Sequence, residues 1–361
     1  MEAIELLKKY KKRVDKKLDK YLKENIKKAN LVDPLGGKAI NFIHDFTLSG
    51  GKRLRPALMY YGFLGAGKED CEEIVEASMS IEMAHSFLLI HDDIIDRDTK
   101  RHGVDTLHEK YKKFGKFFIK DKKELEHFGN SMAIIAGDRA MFMANEILFN
   151  AKFPPKKILA SLNRLQHIVS QTIPGEMLDV VMEFKGKATE KEVLKMHESK
   201  TARYTFEGPI QLGYALAKKD GIISKEELQK ITNYALPLGK AFQIRDDILG
   251  VFGDEKKLGK PVGSDIIEGK QTLLLIKAMQ NADKNQLKEL KNAIGNKSVT
   301  KKQIENFREI IKETGSLDYS VKFSRNLVLE AKTAFKKANL KNSEAINFFE
   351  GIADYIIHRQ Q

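Results

Sequence analysis

The sequence predicts an all-α fold, a single-domain bundle of antiparallel helices. Three observations carry that expectation. Apolar residues recur at helical spacing through most of the chain, as in Ile158, Leu159, Leu162, Leu165, Ile168 and Val169. The composition favours helix and disfavours long strands: of 361 residues 42% are apolar and 31% charged, Leu, Ala, Glu, Lys and Met abound, and only 8 are Pro. Turn signals are sparse, and no linker of Gly, Ser or Pro divides the chain.

The first segment, MEAIELLKKYKKRVDKKLDKY, mixes charges of both signs within an amphipathic period. It lacks the apolar core and small-residue cleavage site of a secretory leader, so a cytoplasmic helix is expected. Breaks follow at Pro34-Leu-Gly-Gly and at Ser49-Gly-Gly. After the second break, Lys52, Arg53 and Arg55 stand beside a flexible Gly pair and just before Pro56, which can open a helix. Exposed amides and guanidinium forks suit a diphosphate, although an ordinary basic turn looks the same.

The next apolar run reads His85-Ser-Phe-Leu-Leu-Ile-His-Asp92-Asp93-Ile-Ile-Asp96. On a helix, Asp92 and Asp96 lie one turn apart on one face, with Asp93 rotated by about 100° beside them. Carboxylates so stacked repel unless a cation sits between them, and Mg2+ typically takes one or two carboxylates plus phosphate oxygens. Breaks around Gly103, near Phe153-Pro-Pro, at Lys185-Gly-Lys and at Lys219-Asp-Gly separate further helical segments. A second run, Ala241-Phe-Gln-Ile-Arg-Asp246-Asp247-Ile-Leu-Gly250, repeats the pattern of the first. Two acidic clusters at equivalent ends of two buried helices can bracket one ligand. The last break spans Gly250 to Gly269, and from about residue 282 the Lys- and Glu-rich helices carry no motif.

Several function classes drop out. Lys, Asp or Glu interrupts every apolar stretch before the roughly 18 to 20 residues a membrane span needs, so a soluble protein is expected. Cys71 is the only cysteine, which rules out an intrachain disulfide or a thiolate metal cluster and fits a reducing compartment. The net charge of +13 invites nucleic acid, but many lysines alternate with acids, as in Lys122-Lys123-Glu124 and Lys225-Glu226-Glu227. That is how a solvated helix face reads, and no nucleic-acid module accompanies it. Gly62 to Lys68 has P-loop glycine spacing, yet Glu69 stands where Ser or Thr must reach Mg2+. The Lys-rich segment from Tyr111 to His127 reads as a solvated insertion or a partner surface.

Taken in order, GGKRLRP at 50–56, DDIIDRDTKRHG at 92–103, AGD at 136–138, KTA at 200–202, FQIRDDILGVFGD at 242–254 and GKPVGSD at 259–265 resemble the trans-polyprenyl diphosphate synthases. That family makes farnesyl, geranylgeranyl and longer diphosphates. The resemblance implies a helical bundle around a deep cavity, with the two aspartate-rich helix ends facing across its mouth. It implies a Mg2+-dependent condensation of isopentenyl diphosphate with an allylic diphosphate, carried out by a homodimer. Asp92, Asp96 and Asp246 would hold Mg2+ on the allylic diphosphate, with Asp93 and Asp247 in support. Arg101, Lys200 and Lys260 would add positive charge, and Thr201 and Gln243 would face the developing carbocation. Lys52, Arg55 and His85 would hold isopentenyl diphosphate together with His102, which stands where most relatives carry a second arginine. Two further departures are Gly250 in place of a third aspartate, and Glu176 where the family usually has Gln. His167 and His197 receive no role beyond structure or exposure.

Chain length should follow from Phe87 and Leu88, the fifth and fourth residues before Asp92. With one aromatic there and no insertion in the motif, the pattern resembles archaeal-type geranylgeranyl synthases. Farnesyl or longer products, a class I terpene cyclase and a non-catalytic subunit are the alternatives.

Overall fold

The chain opens on a helix because its apolar residues fall three and four apart: Leu7, Tyr10, Val14, Leu18 and Leu22 of α1 (Glu2–Val32) are all buried. The computed structural model describes residues 2–253, 263–340 and 342–358. Asp33 ends α1 in an extended conformation, and its carboxylate accepts from the Leu35 amide at 2.7 Å, capping α2 (Pro34–Leu48). Pro34 occupies the first turn, where its missing N–H costs nothing. The expected break therefore lies just ahead of Pro34, and Gly36 and Gly37 are helical.

Next come α3 (Leu54–Gly65) and α4 (Glu72–Ile95). Because α3 runs through Gly62 and Gly65, the first two P-loop-like glycines are helix, and Gly67 lies in the turn that follows at φ 89°. Beyond α4, β1 (Lys100–Arg101) pairs antiparallel with β2 (Val104–Asp105), Arg101 opposite Val104. The two turn residues have φ of 50° at His102 and 78° at Gly103. Positive φ at both central positions is the type I′ hairpin geometry, which Gly supplies freely and His tolerates.

The chain continues through α5 (Leu107–Gly115), α6 (Lys122–Phe149), α7 (Pro155–Lys185) and α8 (Glu190–Met196). A π-helix of 11 residues, His197–Glu207, leads into α9 (Gly208–Ala217). After α10 (Lys225–Phe252) come α11 (Ser264–Glu268), α12 (Leu273–Asn281), α13 (Lys284–Ala293), α14 (Lys301–Glu313), α15 (Ser316–Phe335) and α16 (Ser343–His358). Reciprocal capping boxes start α8, α10, α13 and α14, through Thr189/Glu192, Ser224/Glu227, Asp283/Gln286 and Thr300/Gln303. The all-α expectation holds, the short hairpin being the one sheet among the described residues.

The chain forms two compact units: Glu5–Asn163 with Leu212–Ile222, and Arg164–Gln211 with Ile223–Gln361 and the first four residues. In the first, α4 packs on α3 and α6. In the second, α10 packs on the π-helix and α15, and the C-terminal helices close a core around Leu273, Leu274, Ile310 and Ile311. No helix among the described residues is long and apolar enough to cross a membrane.

Candidate active site

In the first unit the sequence places three aspartates at the C-terminal end of α4, where the helix dipole is negative and disfavours them. Asp93 is fully buried, while Asp92 and Asp96 are half-buried. The hairpin supplies the offsetting cation. Arg101 donates from Nε to Asp93 Oδ1 at 2.7 Å, and its Nη2 lies 2.6 Å from the same oxygen, 3.3 Å from Asp92 Oδ2 and 3.6 Å from Asp98 Oδ2. Burial disfavours the Arg101 cation, but Asp93, Asp92 and Asp98 outweigh it and hold its pKa above the usual value. Burial pushes the Asp93 carboxyl up to about 7; Arg101 opposes the shift, and the Asp92 and Asp98 charges add to it.

The loop before α3 separates its cations. Arg53, at φ 57°, is buried and spent on the fold: Nε donates to Asp15 at 2.6 Å, Nη1 to Glu82 at 2.6 Å and Nη2 to the Thr47 carbonyl at 2.6 Å. Lys52 is exposed, and Arg55 Nη1 lies 2.9 Å from His85 Nε2. A guanidinium only donates, so His85 accepts at Nε2 as a neutral ring. Desolvation of the ring, then the charges of Arg55 and Arg101, hold its pKa well below 6.5. His102 sits against Gly50, where an added Cβ would come within 2.6 Å of the imidazole Cγ. The structure thus joins Arg55 to His85 and brings His102 onto the same glycine loop. Phe87 and Leu88 are half-buried on α4, the Phe87 ring meeting His91 edge-on at 4.8 Å.

In the second unit the site residues hang on the π-helix and on α10. Lys200 Nζ is held between Asp179 Oδ2 at 2.7 Å and Glu176 Oε2 at 2.9 Å. Thr201 Oγ1 donates to Gln243 Oε1 at 2.7 Å, and Gln243 Nε2 donates to Asp247 Oδ1 at 3.0 Å. The other oxygen of Asp247 is 3.2 Å from Nε2 of the fully buried His197. Asp246 is half-buried beside it on α10. Lys260 and residues 259–262 of the GKPVGSD motif lie outside the described residues.

The wide turns of the π-helix need room, and two glycines give it. At Gly175 of α7 a Cβ would lie 2.4 Å from Lys200 N, and at Gly239 of α10 a Cβ would lie 2.4 Å from Ala202 Cα.

The polyprenyl synthetase family model matches residues 38–311. The chain belongs to that family. It is 34% identical over 86% of its length to the short chain isoprenyl diphosphate synthase of Methanocaldococcus jannaschii, covering 84% of that protein. It is also 34% identical to the geranylgeranyl diphosphate synthase of Saccharolobus solfataricus, over 88% of this chain and 89% of that protein. The solved geranylgeranyl pyrophosphate synthase of Corynebacterium glutamicum, complexed with isoprenyl diphosphate and magnesium, superposes with a TM-score of 0.90 at 28% identity, covering 98% of this chain and 99% of that one. The polyprenyl synthetase is therefore a prenyltransferase with the all-α isoprenoid synthase fold.

Sequence reasoning about this prenyltransferase overlooked four groups. Glu176 and Asp179 grip Lys200, Asp98 completes the Arg101 cluster, and His197 touches Asp247. Only Glu176 left a signal, as the carboxylate standing where Gln is usual.

Proposed function

We propose that this prenyltransferase condenses isopentenyl diphosphate with an allylic diphosphate, using Mg2+, and that its main product is geranylgeranyl diphosphate. One observation carries the reading: carboxylates are gathered at the dipole-disfavoured end of α4 around a single largely buried guanidinium. Such a cluster stores negative charge where a divalent cation and a phosphate can share it. Asp93 Oδ2 is buried without a hydrogen-bond partner, and hard carboxylate oxygens are the donors Mg2+ takes. Asp92, Asp96 and Asp246 would hold the metal, which when bound supplies positive charge to the departing diphosphate.

The remaining steps belong to the side chains. Arg101, Lys200 and Lys260 add fixed positive charge as the allylic C–O bond breaks. Thr201 and Gln243, bonded to each other, turn their dipoles to the carbocation. Lys52, Arg55, His85 and His102 hold isopentenyl diphosphate so that its double bond attacks. Proton loss to the released diphosphate completes the trans double bond, and an apolar pocket keeps water from the cation. The whole chain works as one cytoplasmic all-α domain, and it pairs with a second copy of itself.

Product length rests on Phe87, which on this reading floors the cavity below the first aspartates. The Methanosarcina mazei relative, a geranylgeranyl diphosphate synthase 32% identical over 90% of this chain, supports that length. Labelled isopentenyl diphosphate with Mg2+ and each short allylic primer should give a C20 product that disappears in chelator. Phe87→Ala should lengthen it by at least one isoprene unit, because the vacated volume accepts more chain. Hydrocarbon from an allylic diphosphate alone would indicate a cyclase, and no turnover without a partner would indicate a non-catalytic subunit. Unchanged product length in Phe87→Ala places the floor elsewhere.

A further inference from the structure

The turn between α5 and α6 exposes two aromatic rings that the reaction does not use. Phe117 is 89% exposed and Phe118 59%. The turn is anchored, since the Phe118 ring packs on Phe114 at 5.5 Å and on Phe128 at 5.4 Å. Around the rings, Lys116, Lys120, Lys122 and Lys123 are exposed and form no ion pair among the described residues. Their neighbours differ: Lys112 pairs with Glu126 at 2.9 Å, and Lys113 pairs with Asp105. The one acid within the turn, Asp121, is engaged in capping α6 through the Lys123 and Glu124 amides at 2.9 Å.

A second apolar group lies nearby, on the turn between α1 and α2, where Leu31 and Val32 are each 89% exposed and Leu35 is 45% exposed. One helical turn beyond Leu35, Lys38 rests 4.9 Å over the Phe114 ring, the same ring that supports Phe118. Two turns of this first unit thus present exposed apolar side chains, one of them flanked in sequence by lysines that form no ion pair among the described residues. Large exposed rings on a turn, with lysines beside them, match the chemistry of a lipid headgroup layer: apolar tips enter and ammonium groups meet phosphates.

We propose that this surface docks the protein on an anionic lipid bilayer, with Phe117 and Phe118 entering the headgroup region and the free lysines on lipid phosphates. The proposal is independent of the reading of the active site, and its test measures binding. The net charge of +13 draws any face toward anions, so the patch has to be isolated from the whole. The intact chain should sediment with phosphatidylcholine vesicles containing phosphatidylglycerol and not with phosphatidylcholine alone. The triple variant Lys116→Glu, Lys120→Glu, Lys122→Glu should raise the half-saturating lipid concentration by at least about tenfold. The charge-matched control Lys297→Glu, Lys301→Glu, Lys302→Glu, on exposed positions of the other unit, should change it far less. The chain contains no tryptophan, so Phe117→Trp gives a single tryptophan, excited selectively over the tyrosines, whose emission should shift to the blue on anionic vesicles. Ile222→Trp, at a site 73% exposed in the same unit, should not shift. Equal losses in both triple variants, no shift at Phe117→Trp, or binding to nucleic acid or acidic protein without vesicle binding would each overturn the proposal.

Discussion

His85 carries a pH signature that can be read without an assay of turnover. Desolvation and the neighbouring Arg55 hold its folded pKa well below the 6.5 it has when unfolded. Below pH 6.5 the unfolded chain therefore takes up a proton that the folded chain refuses, and stability falls as pH drops, by up to about 1.4 kcal/mol per pH unit. Urea unfolding midpoints between about pH 7.5 and 5.5 should fall more steeply for the wild type than for His85→Gln. Parallel curves would show that the ring is free to ionise in the folded state. Lys200 gives a second test. Its ammonium rests between Glu176 and Asp179, so on the proposed reading, in which Lys200 binds the allylic diphosphate, that diphosphate competes with two carboxylates for one cation. Glu176→Gln keeps the shape and removes one competitor, and the KM for the allylic diphosphate should fall several-fold with kcat less affected. A KM that stays or rises would mean that Glu176 orients Lys200 productively. Residue types at the site were legible in the sequence because their chemistry travels in short motifs. Lys200's partners were not, since Glu176 and Asp179 come from another helix and only folding brings them within 3 Å.

Among the elements, the π-helix at His197–Glu207 is the one that periodicity does not foresee. Its residues read as ordinary helix, and its widened turn exists because flanking helices leave space for it. The Gly208 amide donates to the Arg203 carbonyl, five residues back, at its C-terminal end. Pro174 precedes Gly175 in α7, and Pro237 lies two residues before Gly239 in α10, so each flanking helix carries a missing amide beside its missing side chain. A methyl at position 175 would meet backbone at 2.4 Å, which no rotamer change relieves. Gly175→Ala should lower stability by about 1–3 kcal/mol in urea unfolding. Gly36→Ala, a helical position whose nearest neighbour is 3.9 Å away, should be neutral or stabilising by up to about 1 kcal/mol. Equal stability of both variants would show that the segment yields without cost. Helix ends were far more legible, because capping boxes are local in sequence and the groups that start α8, α10, α13 and α14 lie three residues apart.

At the scale of the molecule, helix periodicity predicted the class but could not say which apolar stripes face a core and which face a partner, since both have the same spacing. The difference appears only as exposure. On α6, Ile135, Phe142 and Phe149 recur every seven residues along one line, and they are 62%, 66% and 70% exposed. Seven residues are nearly two turns, so the three side chains form one continuous stripe. A helix whose opposite face is filled by buried Ala133, Ala136, Ala140 and Ala144 has no further use for such a stripe within its own unit. Exposed apolar area of this kind has the composition of a homodimer interface core, which is richer in aromatics than ordinary surface. The stripe supports the proposed pairing of two copies, and we propose α6 as its seat. Phe142, at its centre, then decides the assembly: in Phe142→Asp each copy would bury a charge with no partner, and by two-fold symmetry the cost would be counted twice. Because the ring is exposed in the single chain, the same substitution leaves the fold intact. Light scattering after gel filtration should give twice the 41.0 kDa chain mass for the wild type and the single mass for Phe142→Asp. A variant that remains dimeric with unchanged circular dichroism would move the interface off α6, and a wild type at the single mass would remove it altogether.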